Sequence, residues 1–202
     1  MFPKIMINFR ERLCLMLALS LWFLPLQAAA QSAEWNIEQL MQLLSKTQSA
    51  RANFVETKSI AMLDAPVESS GELFYKAPDY FEKRTLQPKP ESMVLNGNTL
   101  ILERGKKKRS LQLQNYPEIA AFTESIRGTL AGDRKALERT YHLTLQGKVQ
   151  QWELLLTPID SKLQKVVEHI RISGAEDVLH TIEITQADGD SSLMTIEPIK
   201  AK

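Results

Sequence analysis

The 202-residue chain carries 25 basic and 24 acidic side chains, 44% hydrophobic residues and a single cysteine. So even a balance excludes the broad basic field of a nucleic-acid binder, and one cysteine excludes an intramolecular disulfide framework. Eight glycines and nine prolines are too few for a fibrous or low-complexity chain.

The first thirty residues read as an export signal. Lys4, Arg10 and Arg12 precede an apolar run from Leu13 to Leu24, and Ala28-Ala29-Ala30 supplies a small-residue cleavage site. The run is shorter than the ~20 residues that a spanning helix needs. Residues 1–30 are therefore predicted to be a signal peptide cut after Ala30, taking Cys14 with it, and residues 31–202 to be one exported, periplasmic domain. Taking the three basic and one acidic residue of that segment from the totals leaves 22 basic against 23 acidic.

Along the remaining chain, Ile37, Leu40, Met41 and Leu44 have the spacing of an amphipathic helix, capped by Ser32 or Asn36. Short strands follow, over 53–59, 67–76 and 81–86, with a corner at Ala77-Pro78 because proline has no N–H for a ladder. Residues 91–95 and 99–103 flank Asn96-Gly97-Asn98, a tight hairpin. Gly105 and the cluster Lys106, Lys107, Lys108 and Arg109 are predicted as the next turn, with Ser110–Gln114 continuing the sheet. The period then changes from 2 to 3.6: after Pro117, the residues Ile119, Phe122, Ile126 and Leu130 form a helical stripe. Asp133 caps one further short turn, and Ser161–Gln164 forms another. Alternation resumes at Tyr141, Trp152, Ile170, Ile182 and Met194, bringing the count to about eleven strands.

This pattern predicts an α+β fold, a curved and incomplete antiparallel β-barrel of about eleven strands covered by helices, because so long a sheet must curl or pack on a layer. No nucleophile elbow, phosphate loop or dinucleotide fingerprint is present. His142, His169 and His180 fall on three different strands without metal-ligand spacing. The sequence therefore predicts no catalytic residues, no metal and no cofactor, and points to a container. The stripe of the mid-chain helix fits either an ordinary covering helix or a lid over an apolar cavity. The Lys106–Arg109 cluster fits a solvated tip or a contact with anionic headgroups or an acidic partner.

Several stretches carry a resemblance. Ala52-Asn53-Phe54-Val55-Glu56, Gly71 through Phe81 with its Ala77-Pro78 corner, Asn96 through Leu100, and Trp152 through Pro158 follow one another as in the periplasmic outer-membrane lipoprotein carrier family. The chain resembles that LolA-like family, which shares its fold with the LolB receptor, over about residues 34–198. The resemblance implies a non-enzymatic carrier that holds the acyl chains of lipoproteins and shuttles them from inner to outer membrane. It further implies an inner-membrane lipid-extracting transporter and an outer-membrane receptor as partners. It makes Phe54, Leu73, Tyr75, Met93, Leu95, Leu100 and Leu102 candidate cavity residues, with Phe122 and Ile126 on a lid. The family's arginine before the strand-ending proline, taken to hold the lid shut, falls on Ala77, and glutamine is usual where this chain has Glu56. A carrier of another acylated lipid or glycolipid, and a non-enzymatic envelope protein-interaction module, are the alternative readings.

Overall fold

Asn36 shows how local chemistry starts the folded chain. Its side-chain oxygen accepts the Gln39 N–H at 3.1 Å, while the Gln39 carboxamide oxygen accepts the Asn36 N–H at 3.2 Å. The reciprocal cap satisfies two donors that a first helical turn leaves open. It begins α1 (Ile37–Leu44), whose Leu40, Met41 and Leu44 are buried. The computed structural model describes residues 35–199. The predicted signal peptide, with Cys14 and the cut after Ala30, lies outside the described residues.

Eleven strands follow: β1 (Ser49–Ser59), β2 (Val67–Lys76), β3 (Tyr80–Gln87), β4 (Glu91–Asn96), β5 (Thr99–Arg104), β6 (Lys107–Gln112), β7 (Tyr141–Lys148), β8 (Gln151–Pro158), β9 (Val167–Ala175), β10 (Val178–Gln186) and β11 (Ser191–Pro198). They form one antiparallel sheet in the order β6-β5-β4-β3-β2-β1-β11-β10-β9-β8-β7. Two meanders, β1 to β6 and β7 to β11, are thus joined where β1 pairs with β11, Phe54 lying opposite Ile196. The edges β6 and β7 are not paired with each other, so the curved sheet is an incomplete barrel. Between the meanders the chain forms α2 (Pro117–Leu130) and α3 (Arg134–Glu138). Asp133 caps α3 by accepting the Ala136 N–H at 2.9 Å.

Four boundaries differ from the sequence reading by more than one residue. β6 ends at Gln112, and Leu113–Asn115, the start of which the sequence assigns to the strand, form a 3-10 turn that buries Leu113. β1 starts at Ser49, not near Asn53, because Ala50 and Arg51 pair with Tyr75 and Phe74 of β2. Neighbouring ladder bonds override the weak strand preference of Ser-Ala-Arg-Ala. The β5–β6 turn is confined to Gly105 and Lys106, and Lys107, Lys108 and Arg109 belong to β6, opposite Arg104, Glu103 and Leu102. The basic cluster is therefore mostly strand, and its side chains alternate between the two faces. The short turn expected at Ser161–Gln164 is a 3-10 turn at Leu163–Lys165.

The core is continuous from α1 (Leu40, Met41, Leu44) through α3 (Leu137) to Trp152, Leu154, Leu156, Ile170 and Ile172 of β8 and β9. Hydrophobic burial of this kind contributes about 1.5–3 kcal/mol for each large side chain. The inner face of β8 and β9 is thus a packed wall. The β1–β6 half has a similar inner face but is less completely filled.

Candidate functional site

Register defines the inner face of that second half. Ala52, Leu73, Lys83, Met93, Leu102 and Arg109 form one cross-strand row, and Ala50, Tyr75, Phe81, Leu95, Leu100 and Leu111 form the next. Phe54 lies two residues from Ala52 on the same strand face. All seven strand residues singled out in the sequence therefore share one face of the sheet. They do not share one environment. Phe54, Leu95 and Leu100 are buried in the core, and Leu73 and Tyr75 line a cavity of about 510 Å³. Met93 and Leu102 line a second concavity of about 530 Å³.

The first cavity is predominantly apolar. Its walls come from Ala50 and Ala52 of β1, Phe81 of β3, Leu179 and Ile182 of β10 and Ile196 of β11, and are completed by Leu44 of α1 and by Ile126 and Leu130 of α2. Two alanines on the inward side of β1 leave room that larger residues would occupy. A volume in the range of 300–1,000 Å³ is typical of small-molecule sites. Tyr75 adds the one unusual polar atom: the residue is 3% exposed, and its hydroxyl has no hydrogen-bond partner among the described residues. Burial, aided by the Asp79 carboxylate, pushes its phenol above the ordinary range.

The helix over this cavity is oriented unusually. Its buried residues are Thr123, Ser125, Gly128 and Thr129, whereas Ile119, Phe122, Ile126 and Leu130 are half-buried. The polar face can be buried because its hydroxyls bond to the helix itself: Thr123 to Ile119 and Ala120 carbonyls at 3.0 Å, Ser125 to the Phe122 carbonyl at 2.7 Å, and Thr129 to the Ser125 carbonyl at 2.7 Å. A buried hydroxyl without such a bond would cost about 1–3 kcal/mol. Ile126 faces the cavity, while Phe122 packs against the core cluster outside the cavity lining.

Two contacts tie α2 to the sheet. Arg127 donates to the Gly97 carbonyl at 2.8 Å and also pairs with Glu124. The Tyr141 hydroxyl donates to the Ala121 carbonyl at 3.0 Å, and burial pushes that phenol up to about 12. Gly97 is the tip of the β4–β5 hairpin, and its own N–H reaches the Asp79 carbonyl at 3.3 Å.

These features are an unclosed eleven-stranded barrel, helices against its inner face and an apolar cavity beneath α2. A family model described as outer membrane lipoprotein carrier protein, LolA-like, matches residues 28–197. The chain belongs to this LolA-like family. It is similar to an outer-membrane lipoprotein carrier protein of Pseudomonas putida strain W619, at 24% identity over 94% of this chain and 88% of that protein. A protein of the same name from strain GB-1 is 21% identical over 85% of this chain and 81% of its own. Among solved structures, a LolA superfamily protein from Nitrosomonas europaea aligns with a TM-score of 0.40 at 12% identity, over 82% of this chain and 93% of that one. The Pseudomonas aeruginosa MucA/MucB complex aligns with a TM-score of 0.46 at 12% identity, over 82% of this chain and 58% of that one.

Within this LolA-like chain, Ala77 sits in the β2–β3 turn, half-buried, its N–H donating to the Gln48 carbonyl at 2.9 Å. It has no side-chain donor to offer α2. The neighbouring cations do not reach α2 either: Lys83 bonds Glu56 at 2.5 Å, and Arg84 bonds Glu82 at 2.8 Å. The arginine that spans helix and sheet is Arg127, on the helix side. His142, His169 and His180 lie apart, on β7, β9 and β10.

Glu56 was not singled out as a site residue by its sequence. It is 5% exposed on the inner face, where it also accepts Ser192 at 2.7 Å and Ser69 at 3.3 Å. Lys83 in turn lies 4.8 Å from the centre of the Phe54 ring. Burial alone would push the Glu56 carboxyl up, but the Lys83 charge and the Lys83 and Ser192 hydrogen bonds outweigh it and hold it below the usual carboxylate range. Burial pulls Lys83 below the ordinary lysine range despite its partner.

Tyr75→Phe should leave global stability unchanged or raise it by about 1 kcal/mol, since it removes a buried hydroxyl with no protein partner. Urea unfolding checks this. A loss of more than about 1 kcal/mol would mean that the hydroxyl is satisfied in the folded protein.

Proposed function

We propose that the protein is an exported, non-enzymatic carrier that takes acyl chains, most simply those of lipoproteins, into the cavity beneath α2. The observation that carries this reading is that Ile126 and Leu130, half-buried on the apolar stripe of α2, form part of the wall of an apolar hollow, while the helix buries its hydroxyl-bearing residues. A helix serving only as cover would bury its large apolar side chains instead. In this reading residues 1–30 direct export to the periplasm and are cut after Ala30. An inner-membrane transporter extracts the lipid and loads the carrier, and an outer-membrane receptor unloads it. Leu73, Tyr75 and Ile126 contact the chain, and Phe54, Leu95 and Leu100 support the floor from within the core.

Energetics favour a shuttle over a sink. Burying a sixteen-carbon chain from water is worth on the order of 12 kcal/mol at ~0.8 kcal/mol per CH₂. A chain leaving a bilayer is already dry, so transfer into an apolar cavity is nearly balanced. Small changes in how α2 is held then suffice to load or release.

Ile126→Asp combined with Leu130→Asp tests the site. Both side chains are only half-buried, so the fold should survive, whereas desolvated carboxylates in the cavity wall should abolish binding of a fluorescent fatty-acyl probe. Circular dichroism confirms the fold and probe titration reads binding. Wild-type affinity in a folded double variant would overturn the assignment.

A further inference from the structure

The second concavity gathers four cations, whereas the lining of the acyl cavity carries one, Arg51, alongside Asp177. Met93 and Leu102 supply an apolar floor, and around it stand Lys83, Arg104, Lys107 and Arg109. Three carboxylates lie close by, and each is engaged: Glu56 with Lys83 at 2.5 Å, Glu91 with Arg104 at 2.5 Å, and Glu103 with Lys108 at 2.5 Å. Lys107 and Arg109 have no carboxylate partner among the described residues. Both are two-residue neighbours on β6, and register puts them on the inner face with Leu102 and Met93, while Lys108 between them points outward. The concavity therefore carries uncompensated positive charge directly above an apolar floor.

The two hollows are contiguous in register. Leu73, from the wall of the acyl cavity, is the direct cross-strand partner of Lys83, from the wall of the cationic one. Leu73, Lys83, Met93, Leu102 and Arg109 run across five neighbouring strands in one row. At about 4.8 Å per strand the row extends on the order of 19 Å from Leu73 to Arg109, with Lys83, neutralised by Glu56, between the acyl cavity and the Met93–Leu102 floor. That polarity is the shape of an amphiphile with an acidic head. Arginine's planar fork matches phosphate oxygens in a bidentate manner, and lysine adds a mobile second charge.

We propose that Lys107 and Arg109 bind the phosphate of an anionic acyl lipid over the Met93–Leu102 floor, a headgroup site separate from the acyl cavity. This rests on the acyl-carrier reading and narrows its cargo class to lipids with a phosphate or comparable anion near the chains. The two cations also stand on an edge strand, where inward charges can serve only to discourage pairing between sheets. The test separates the two roles.

Lysophosphatidylglycerol and lysophosphatidylcholine of equal chain length, below their micelle concentrations, are titrated into the wild-type protein and into Lys107→Ser/Arg109→Ser. A cation near an anionic lipid surface is worth about a fivefold change in affinity. With two such cations, the wild type should prefer the anionic lipid by up to about twenty-five-fold. The double variant should lose that preference while keeping its affinity for the zwitterionic lipid. Equal preference in the two proteins overturns the headgroup site, and does so all the more plainly if the double variant then self-associates. Binding of both lipids without preference in the wild type overturns it too, and leaves the acyl reading standing. Failure of both lipids to bind the wild type removes the headgroup site and the acyl reading together. Inorganic phosphate binding as tightly as the anionic lipid would assign the cations to a free anion instead.

Discussion

Glu56→Gln is expected to destabilise the protein by about 3 kcal/mol, because it leaves the Lys83 ammonium largely buried without its counter-charge. Lys83 is 15% exposed and its distance to Glu56 is 2.5 Å, so solvent replaces the lost partner only in part. Replacing both, as Glu56→Gln/Lys83→Met, should restore stability to within about 1 kcal/mol of wild type, since a buried pair contributes little net over a neutral substitute. Urea midpoints of the single and double variants give the comparison, and equal losses in the two would show that the charges are not coupled. The pH dependence has a defined sign. A carboxyl whose folded value lies below its unfolded value stabilises the fold fully above the ordinary carboxylate range, and that contribution disappears as pH falls through the lowered folded value. The single variant should therefore show a flatter loss of stability on acidification.

Gly132→Ala should cost about 3 kcal/mol, and the damage should be concentrated at α1. Gly132 lies between α2 and α3 with φ at +64°, where an added Cβ would stand 2.1 Å from the Met41 carbonyl oxygen and 2.8 Å from the Ser45 nitrogen. Those are backbone atoms of α1 and its C-cap, joined by a 2.9 Å hydrogen bond, so they yield only if the helix shifts. Positive φ alone costs about 1–2 kcal/mol for a residue with a Cβ, and overpacking adds about 1–3 kcal/mol. Gly105 is the control: its φ is +57°, and nothing lies within 4 Å of a built Cβ. Gly105→Ala should cost the conformational part only. Equal destabilisation at the two glycines would mean that α1 does not rest on this loop.

The alternation of apolar residues carried most of the architecture into view, since a period of two at Met93, Leu95, Leu100 and Leu102 fixes both strand and face once a hairpin sets the register. The helix after Pro117 was legible for the same reason at a period of 3.6. Which of those apolar residues meets a hollow was not. Leu95 and Leu100 are buried while Met93 and Leu102, one step along the same ladder, are only half-buried, and that difference is set by packing between distant elements rather than by the alternation itself. Glu56 was opaque because its partners at 69, 83 and 192 are brought to it by three different strands. Arg127 and Gly97 are 30 residues apart in sequence, and nothing local marks the arginine as a tie to a hairpin tip. The run Lys106–Arg109 looked like a turn because charge and glycine dominate it locally, and only the pairing with β5 makes it strand.

The hydroxyls that α2 folds back onto its own carbonyls have a kinetic consequence. The Thr123 and Thr129 hydroxyls need nothing from the sheet, Ser125 shares its own with Tyr141 of β7, and the helix's ladder of N–H to carbonyl bonds is internal. Letting go of Gly97, of the Tyr141 hydroxyl and of its apolar contacts with the core would allow α2 to swing as a rod with its amides from Ala120 onward still hydrogen-bonded. Such a movement would be silent to hydrogen exchange, which registers broken backbone bonds and not displaced helices. A spectroscopic ruler between α2 and the β4–β5 tip would see it.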